Sequence, residues 1–307
     1  MANWNDLPYE IKMIIIKKMK FTTRNKLKMC SRLDRVMVNS VPLKFGEVWI
    51  MTFDDEMKMS VCDTSKSILF EIKKCEPNTL KVVFHKTRRY ISYSGIEEAR
   101  QIFNKYAHSF LATIFHARNV EIGDFYTRMP FPIEFTNAIN KPRCDVFGLR
   151  LSSSMNVKDW LDHFTMIRFT FNEETSPDLV VNDPDALAML MNCDWLDMEV
   201  PNCLTDDHLM NFNGKVIWMG PSNITSTGIN RFIKKLIADD EQYSKMISFH
   251  FEMKGGKLWW NEVIQDIRCR QYDDYGICFE HESANGKKLY LSSIIFDSDV
   301  IISKKKQ

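Results

Sequence analysis

Few residues of this chain have the types and spacing that catalysis needs. The sequence contains no glycine-rich phosphate loop, nucleophile elbow or paired metal-binding histidines. His116 and Cys144 would act as base and nucleophile only if the fold joined them, and Asp206 and Asp207 could supply paired carboxylates. A buried thiol and a favourable helix dipole explain these residues more simply. The sequence therefore predicts no enzyme, and no cofactor or metal site.

Charge is unevenly distributed along the chain. The first 44 residues contain ten Lys or Arg against three acidic residues, a net charge of +7, so the remainder of a chain that carries +1 has a charge of −6. A basic segment on a mildly acidic body favours an acidic partner for the segment.

Cysteine usage and hydropathy predict where the protein resides. The eight cysteines form no C-x-x-C pair and mostly adjoin apolar residues, which suits reduced thiols. Lysines interrupt the N-terminal apolar region, which argues against a secretory signal peptide, and no run approaches the roughly 18 apolar residues of a membrane span. We expect a soluble cytoplasmic or nuclear protein that does not bind membranes.

The opening stretch LPYEIKMIIIKKM predicts an amphipathic helix. Asp6 is placed to cap this helix and Pro8 to occupy its first turn. Thr22 or Thr23 could cap a second helix, and a third runs from about Leu33 to Val38. Three helices this short cannot bury their apolar faces well alone, so we expect them to need a partner. The apolar residues of the first helix recur at helical spacing: Leu7, Ile11, Ile14, Ile15 and Met19.

The next segment, residues 45–118, predicts a small antiparallel sheet followed by a long helix. Short runs rich in β-branched and aromatic residues, EVWIMTF, SILFEI, TLKVVFH and RYISY, are separated by polar turns. The helix follows as IEEARQIFNKYAHSFLATIF, and its expected buried face carries Ile96, Phe103, Tyr106, Phe110 and Ile114.

Residues 144–307 predict a parallel strand–helix array. The strands VFGLRL, MIRFTF, WLDMEV, KVIWM and MISFHF begin about 20 to 30 residues apart, each followed by a helical segment. VPNCLTDDHLMNF and GPSNITSTGINRF align with an offset of 20 residues, which pairs Cys203 with Asn223 and Thr205 with Thr225. This is the pattern of a degenerate leucine-rich repeat, with the Cys or Asn inside the turn and the Thr capping the helix.

The C-terminal stretch YGICFEHESANGKKLYLSSIIF predicts a hairpin that turns at Asn285–Gly286. Such a hairpin would close the open edge of the parallel sheet. The final residues, SKKKQ, are expected to be disordered. The expected fold class is thus mixed α/β.

The N-terminal segment resembles an F-box. It combines the Leu-Pro opening and the apolar stripe with an R-x-x-L-x-x-C-S-R motif that begins at Arg24 and ends at Arg32. The whole arrangement resembles the F-box families expanded in nematodes, which join an N-terminal F-box to an F-box-associated region. The sequence departs from the pattern in the third helix, where many F-boxes have Trp and this chain has Asp34.

The resemblance implies a substrate receptor of an SCF-type cullin–RING ubiquitin ligase. Residues 1–44 would bind a Skp-type adaptor, and through it a cullin, while residues 45–307 would hold the target protein. The residues that would face the adaptor are Leu7, Pro8, Ile11, Ile14, Ile15, Met19, Leu27, Met29 and Cys30.

Other functions remain open at this point. The N-terminal segment could be a protein-interaction module unrelated to ubiquitin, or a basic module that binds nucleic acid, although the charge lies beside an apolar stripe and no recognition helix is evident. A mitochondrial targeting peptide is disfavoured by Asp6, Glu10 and the early proline. We therefore expect a protein partner and not a nucleic acid.

Target binding is expected on the exposed side of the parallel strands, because repeat proteins usually bind there. The candidate residues alternate along three of the strands: Asp197, Glu199, Trp218, His250 and Glu252.

Overall fold

The structure is a computed structural model that forms two compact units. Unit 1 comprises Met1–Val146 and Asp159–Thr165, and unit 2 comprises Phe147–Lys158 and Met166–Gln307. The mixed α/β class is confirmed, whereas the domain boundaries drawn from the sequence remain predictions. No helix of the described residues is long and apolar enough to cross a bilayer. The structure describes residues 4–62, 67–76, 79–84, 87–92, 96–117, 119–149, 157–171, 184–198, 201–253, 259–271, 278–282, 286, 288–292 and 299–304.

Three short helices open unit 1: α1 (Tyr9–Lys18), α2 (Phe21–Lys28) and α3 (Arg32–Ser40). Their starts differ from expectation. Pro8 occupies the N-cap position of α1 that was expected for Asp6, and Lys20 that of α2, so Thr22 and Thr23 lie inside the helix. Helix α3 begins earlier than predicted because Ser31 caps it.

The sheet of unit 1 is built around its first strand. Strand β1 (Leu43–Thr52) pairs antiparallel with β2 (Glu56–Cys62) and parallel with β6 (Val120–Arg128). Strands β3 (Ser67–Glu76), β4 (Thr79–Phe84) and β5 (Thr87–Ser92) continue the antiparallel run. Helix α4 (Ile96–His116) joins β5 to β6 and so permits the parallel return. The antiparallel run and the long helix match the expectation, although neither β2 nor β6 was predicted.

Helix α4 packs on this sheet through aromatic side chains. Phe103 stacks on Phe70 of β3 with ring centroids 5.9 Å apart, and Phe110 meets Phe45 of β1 at 5.6 Å. Burying each ring contributes about 2 kcal/mol. Tyr106 was predicted on the buried face but is half exposed, with its ring against the edge of the cluster at Phe70.

Strands β1 and β6 approach closely at two glycines. Side chains alternate between the faces of a strand, yet Phe45 and Val48 of β1 are both buried, and β6 shows the same change of pattern. The alternation shifts where Gly46 lies opposite Gly123. A Cβ on Gly123 would lie 2.4 Å from the carbonyl oxygen of Gly46, so this approach requires glycine at position 123.

Three elements contain residues of both units. They are β7 (Arg143–Leu149), α5 (Val157–Asp162) and β8 (Thr165–Phe171), of which only Thr165 belongs to unit 1.

Unit 2 contains the last four of the five strands that the sequence predicted for the parallel array. Strands β8 (Thr165–Phe171), β9 (Trp195–Met198), β10 (Val216–Ser222) and β11 (Ser248–Met253) are parallel neighbours in chain order. The connections carry α6 (Pro184–Met191), α7 (Asp206–Met210), α8 (Ser226–Ala238) and α9 (Asp240–Lys245). Phe232 of α8 and Phe212 pack on Phe249 of β11, with centroids 5.3 and 5.8 Å away, so the helices bury one face of the strands.

The loops after β9 and β10 stack on each other in agreement with the 20-residue alignment. The N–H of Asn202 donates to the carbonyl oxygen of Pro221 over 2.8 Å, and the N–H of Asn223 donates to that of Leu204 over 2.9 Å. Thr225 caps α8 as predicted. Each loop thereby satisfies backbone groups of its neighbour.

The polar side chains inside these turns are not the predicted ones. Asn202 and Ser222 are buried, and their side-chain oxygens accept from backbone N–H groups two residues further on. Cys203, predicted to lie inside, is half-buried, and Asn223 is exposed. Consecutive residues of an extended chain point to opposite sides, so a prediction one residue off exchanges inside for outside.

An antiparallel region completes unit 2. Strand β15 (Asp299–Lys304) pairs with β11, and β14 (Lys288–Ser292), β13 (Cys278–Glu282) and β12 (Cys269–Gln271) follow in turn, with α10 (Trp260–Val263) preceding β12. The predicted hairpin joins β13 to β14, and Gly286 has a φ of 75°, which glycine adopts readily. Asn285 lies outside the described residues. Strand β15 covers the edge of β11, so Ser303 and Lys304, expected in a disordered tail, belong to a strand.

Candidate functional site

The three N-terminal helices enclose a small interior. Ile16, Met37, Val38 and Val41 form a buried cluster, against which Trp4, Met13, Met19 and Leu27 pack partly. Met19 and Leu27 were predicted to face an adaptor, but the structure places them against this cluster. The interior residue of the run MIII is Ile16, one position after the predicted stripe.

A buried arginine ties the helices to the start of the sheet. The guanidinium of Arg24 donates to three backbone carbonyl oxygens: to Met19 through Nε (3.1 Å), to Pro42 through Nη1 (2.8 Å) and to Lys17 through Nη2 (2.9 Å). These carbonyls belong to the end of α1, the turn before α2 and the residue before β1. The first arginine of the R-x-x-L-x-x-C-S-R motif is therefore a structural residue.

Asp34 of α3 is also buried and structural. Its carboxylate accepts hydrogen bonds from the hydroxyl of Ser31 (2.7 Å) and from the indole Nε1 of Trp4 (2.8 Å). These bonds, Ser31 first, hold the pKa of Asp34 below its ordinary value despite burial, which acts in the opposite direction. Lys12 of α1 is buried as well, with its Nζ 5.8 Å from the centre of the Trp4 ring.

The outer surface of the helices carries apolar side chains that the interior does not use. Ile11 and Ile14 lie three residues apart on α1, as do Leu33 and Val36 on α3, so each pair shares one side of its helix. Leu7 and Ile15 are half-buried, and Pro8 and Cys30 are exposed. The large apolar residues that are 43% to 84% exposed are Tyr9, Ile11, Ile14, Met29, Leu33 and Val36.

Sequence reasoning missed three of these exposed residues, Tyr9, Leu33 and Val36. A signal for two of them was present, because Leu33 and Val36 are apolar and three residues apart on α3, so they share one side of the helix. In this helix, comparison with the F-box pattern singled out Asp34 and not Leu33 or Val36.

The same helices and their connections also carry exposed basic side chains. Burial, and then repulsion from Arg24 and Arg35, lowers the pKa of the half-buried Lys28. The outer surface is thus both apolar and positively charged. The exposed basic residues of the helices and their connections are Lys17, Lys18, Lys20, Lys26, Arg32 and Arg35.

The residues predicted to bind a target lie together in unit 2. The parallel register pairs Trp218 of β10 with Asp197 of β9 on one side and with His250 of β11 on the other. Glu252 follows on the same side of β11, two residues after His250. Glu199 lies outside the described residues.

This row of side chains combines an exposed aromatic ring with buried charge. The ring of Trp218 is 5.2 Å from that of His250, whose Nε2 lies 2.9 Å from a carboxylate oxygen of the buried Asp299. Asp197 is buried and forms an ion pair with Arg168 of β8. Both acidic side chains therefore have basic or imidazole partners inside unit 2.

The residues considered for catalysis are in structural positions. Cys144 is buried, its Sγ donates to a backbone carbonyl, and desolvation raises the pKa of its thiol. Burial likewise raises the pKa of Cys193 to about 12 and that of Cys269 to about 11. Nδ1 of His116 lies 2.7 Å from a backbone carbonyl of its own helix. Within the described part of the chain, no three His, Cys, Asp or Glu side chains are grouped to hold a metal ion.

Comparison with known proteins identifies the N-terminal helices. Residues 4–46 match the F-box domain family model, and this range contains α1, α2 and α3. An uncharacterized F-box protein of Caenorhabditis elegans is 19% identical to the chain, over 95% of this chain and 83% of the relative. No solved structure matches the chain. The resemblance to nematode F-box proteins is thus confirmed.

Proposed function

We propose that this chain, which carries an F-box domain, is the substrate-recognition subunit of an SCF-type cullin–RING ubiquitin ligase. Residues 4–46 would dock onto a Skp-type adaptor, and the C-terminal region would present a target protein. The match of residues 4–46 to the F-box family carries the proposal. In this role the chain performs no bond chemistry itself, because it acts by raising the concentration of the target near a ubiquitin-loaded partner.

The surface of α1–α3 supports docking onto another protein. Ile11, Ile14, Leu33 and Val36 are exposed in the chain alone, and burying one such side chain in an interface contributes about 1.5 kcal/mol or more. The basic residues around them would speed encounter with an acidic adaptor and orient it. Affinity would come chiefly from the apolar residues and the rate of association from the charges.

The burial of two residues changes the set of residues that the sequence suggested would face the adaptor. Met19 and Leu27 would act mainly by supporting the interior cluster, since both pack against it. The remaining members that the resemblance implies are Leu7, Pro8, Ile11, Ile14, Ile15, Met29 and Cys30, to which exposure adds Tyr9, Leu33 and Val36.

For the target-binding region we propose a degenerate leucine-rich-repeat-like array. Its support is the stacking of the two loops through Asn202–Pro221 and Leu204–Asn223, together with the consecutive parallel strands. The exposed Cys30, which forms no disulfide among the described residues, supports a reducing compartment such as the cytoplasm or nucleus.

Affinity purification from cells tests the proposal. We expect the wild-type chain to carry a Skp-type adaptor and a cullin with it. The double variant Ile11→Asp, Ile14→Asp should lose at least about tenfold of the bound adaptor, because two charges would replace the apolar contacts. Its matched control is Ile133→Asp, Ile139→Asp, at two isoleucines of unit 1 that are still more exposed.

The two pairs of variants separate docking from general damage. The control should retain the adaptor, and circular dichroism should be the same for all three proteins. If the wild-type chain binds no adaptor, or if both double variants bind it equally well, the proposed function is wrong.

A further inference from the structure

One face of the parallel strands in unit 2 carries a continuous row of aromatic and charged side chains. On the other face Leu196, Ile217 and Phe249 are buried under the helices. The alternate residues point away from the helices. We call the following residues the Trp218 strip: Arg168 of β8, Trp195 and Asp197 of β9, Trp218 of β10, His250 of β11 and Asp299 of β15.

The strip already contains one guanidinium stacked on an indole. The guanidinium carbon of Arg168 lies 4.4 Å from the centre of the Trp195 ring, and Nη2 of the same side chain is paired with Oδ2 of Asp197. The arrangement stacks the flat face of the guanidinium on an indole and pairs one of its nitrogens with a carboxylate. A carboxylate beside an indole is thus a working site for an arginine side chain within this strip.

The polar groups of the strip are only partly satisfied. Asp197 is 2% exposed, yet its Oδ1 has no hydrogen-bond partner in the part of the chain that the structure describes, and the same holds for Nε of Arg168 and Nε1 of Trp195. Buried polar atoms are normally paired, so unpaired ones at one place indicate a missing partner. A carboxylate oxygen can be satisfied only by a donor, which a cationic side chain provides.

Trp218 offers a half-exposed ring beside that carboxylate. Its side chain is 46% exposed, and its register partners are Asp197 on one strand and His250 on the next. Neighbouring strands are about 4.8 Å apart, so a cation on the Trp218 indole would lie beside both. Among the described residues of β8 to β11 and Asp299 of β15, this part of the face has three carboxylates, those of Asp197, Glu252 and Asp299, and the guanidinium of Arg168.

We infer that the Trp218 strip binds an arginine side chain in a basic segment of the target protein. The guanidinium stacks on the indole of Trp218 and is attracted by the carboxylates on either side. Arginine fits better than lysine because a planar guanidinium can stack and donate N–H groups at the same time. The inference rests on the proposed function, since it assigns the chemistry of the target that the C-terminal region would hold.

Binding of labelled peptides to the purified full-length chain tests the inference. The probe is the fluorescein-labelled peptide Gly-Arg-Gly-Ser-Arg-Gly-Ser-Arg-Gly, and its matched control contains citrulline, which has the shape of arginine without the charge. In fluorescence anisotropy the arginine peptide should bind at least about fivefold more tightly than the citrulline peptide. A peptide with glutamate in place of arginine should show no saturable binding.

Variants of tryptophan locate the site. Trp218→Ala should weaken binding of the arginine peptide about fivefold to thirtyfold, and Trp218→Phe should weaken it less because a smaller aromatic face remains. The matched control is Trp259→Ala, at a second exposed tryptophan of unit 2 (56% exposed), which should leave the affinity unchanged. Thermal unfolding of each variant verifies that it is folded.

Three results would overturn the inference: equal binding of the arginine and citrulline peptides, tighter binding of the glutamate peptide, or an equal effect of the two alanine variants. Adaptor capture by Trp218→Ala separates this inference from the proposed function. A chain that binds the arginine peptide but no adaptor would refute the ligase role alone. A chain that captures the adaptor but not the arginine peptide would refute the strip alone.

Discussion

The indole Nε1 of Trp4 donates a hydrogen bond to the carboxylate of Asp34 over 2.8 Å, and so joins the segment before α1 to the first turn of α3. The same indole packs against the interior cluster of the three helices. Asp34 is the residue at which this chain departs from the F-box pattern, where many members have tryptophan. The indole of Trp4, which precedes α1, thus hydrogen-bonds to α3, the helix that lacks a tryptophan.

We predict that Asp34→Ala lowers the free energy of unfolding by about 2 kcal/mol. The change removes the acceptor for both Ser31 and Trp4, and it leaves the indole N–H without its partner. Asp34→Asn should cost less, because the amide oxygen can still accept. Urea unfolding measures both, and Asp6→Ala, at an exposed aspartate, is the control with an expected change within about 0.5 kcal/mol.

Asp34 should also make the stability of the domain depend on pH. Hydrogen bonds from Ser31 and Trp4 lower its pKa in the folded chain, so the carboxylate contributes stability above the ordinary aspartate pKa of about 3.9. That contribution is lost as the pH falls through the folded pKa. The difference in unfolding free energy between the wild type and Asp34→Asn should therefore shrink from pH 7 to pH 3. A difference that stays constant would contradict the assigned cause.

Replacing Arg24 should loosen the connection between the F-box helices and β1. We expect Arg24→Lys to lower the free energy of unfolding by about 2 to 3 kcal/mol, because one ammonium cannot reach the three carbonyl oxygens that the guanidinium bonds. Arg35→Lys, at an exposed arginine, is the matched control and should change it by about 0.5 kcal/mol or less. Similar losses for both variants would show that Arg24 acts only as surface charge.

Periodicity predicted where the helices and strands lie better than it predicted which of their residues face the interior. Helix α4 and the strands of the parallel array could be found from spacing because their apolar residues recur over many positions. In the run of isoleucines at 14 to 16 every residue is apolar, so spacing could not identify Ile16 as the interior one. In the loop after β9 the buried polar residue was missed by one position. Asn202 and Cys203 are adjacent and both are plausible inside a turn, so the residue types could not decide between them.

The candidate sites were predictable to different degrees. Asp197, Trp218 and His250 could be proposed because alternate residues of neighbouring parallel strands share a face. The pairing of Asp197 with Arg168 could not, because it joins side chains from separate strands whose register no local pattern reveals. Burial of Lys12 and Asp34 likewise depends on Trp4, an aromatic ring outside the helical repeat.

Gly123→Ala should destabilise unit 1, whereas Gly46→Ala should be tolerated. A Cβ at position 123 would lie 2.4 Å from the carbonyl oxygen of Gly46, which cannot yield without moving β1. At position 46 the nearest atom to a new Cβ is 3.7 Å away, an ordinary contact. We expect a loss of about 1 to 3 kcal/mol for the first change and about 0.5 kcal/mol or less for the second, measured by urea unfolding. Equal losses of unfolding free energy for the two variants would contradict a close approach of β1 and β6 at Gly123.

Gly228→Ala tests the link between α7 and α8, the helices that follow successive parallel strands of unit 2. The carboxylate of Asp206 accepts from the N–H and the hydroxyl of Thr225, both over 2.7 Å, and a Cβ on Gly228 would lie 1.9 Å from one of its oxygens. Alanine normally stabilises a helix relative to glycine by up to about 1 kcal/mol. Here we expect a loss of about 1 to 2 kcal/mol, because the carboxylate must leave the start of α8.

The double-mutant cycle decides whether Asp206 is the cause. With Asp206→Ala already in place, Gly228→Ala should become neutral or stabilising, so the two changes should couple by at least about 1 kcal/mol in urea unfolding. Additive effects would mean that the glycine is required for another reason. Strong coupling would mean that the carboxylate of Asp206 at the start of α7 orients α8, the helix between the strands that carry Trp218 and His250.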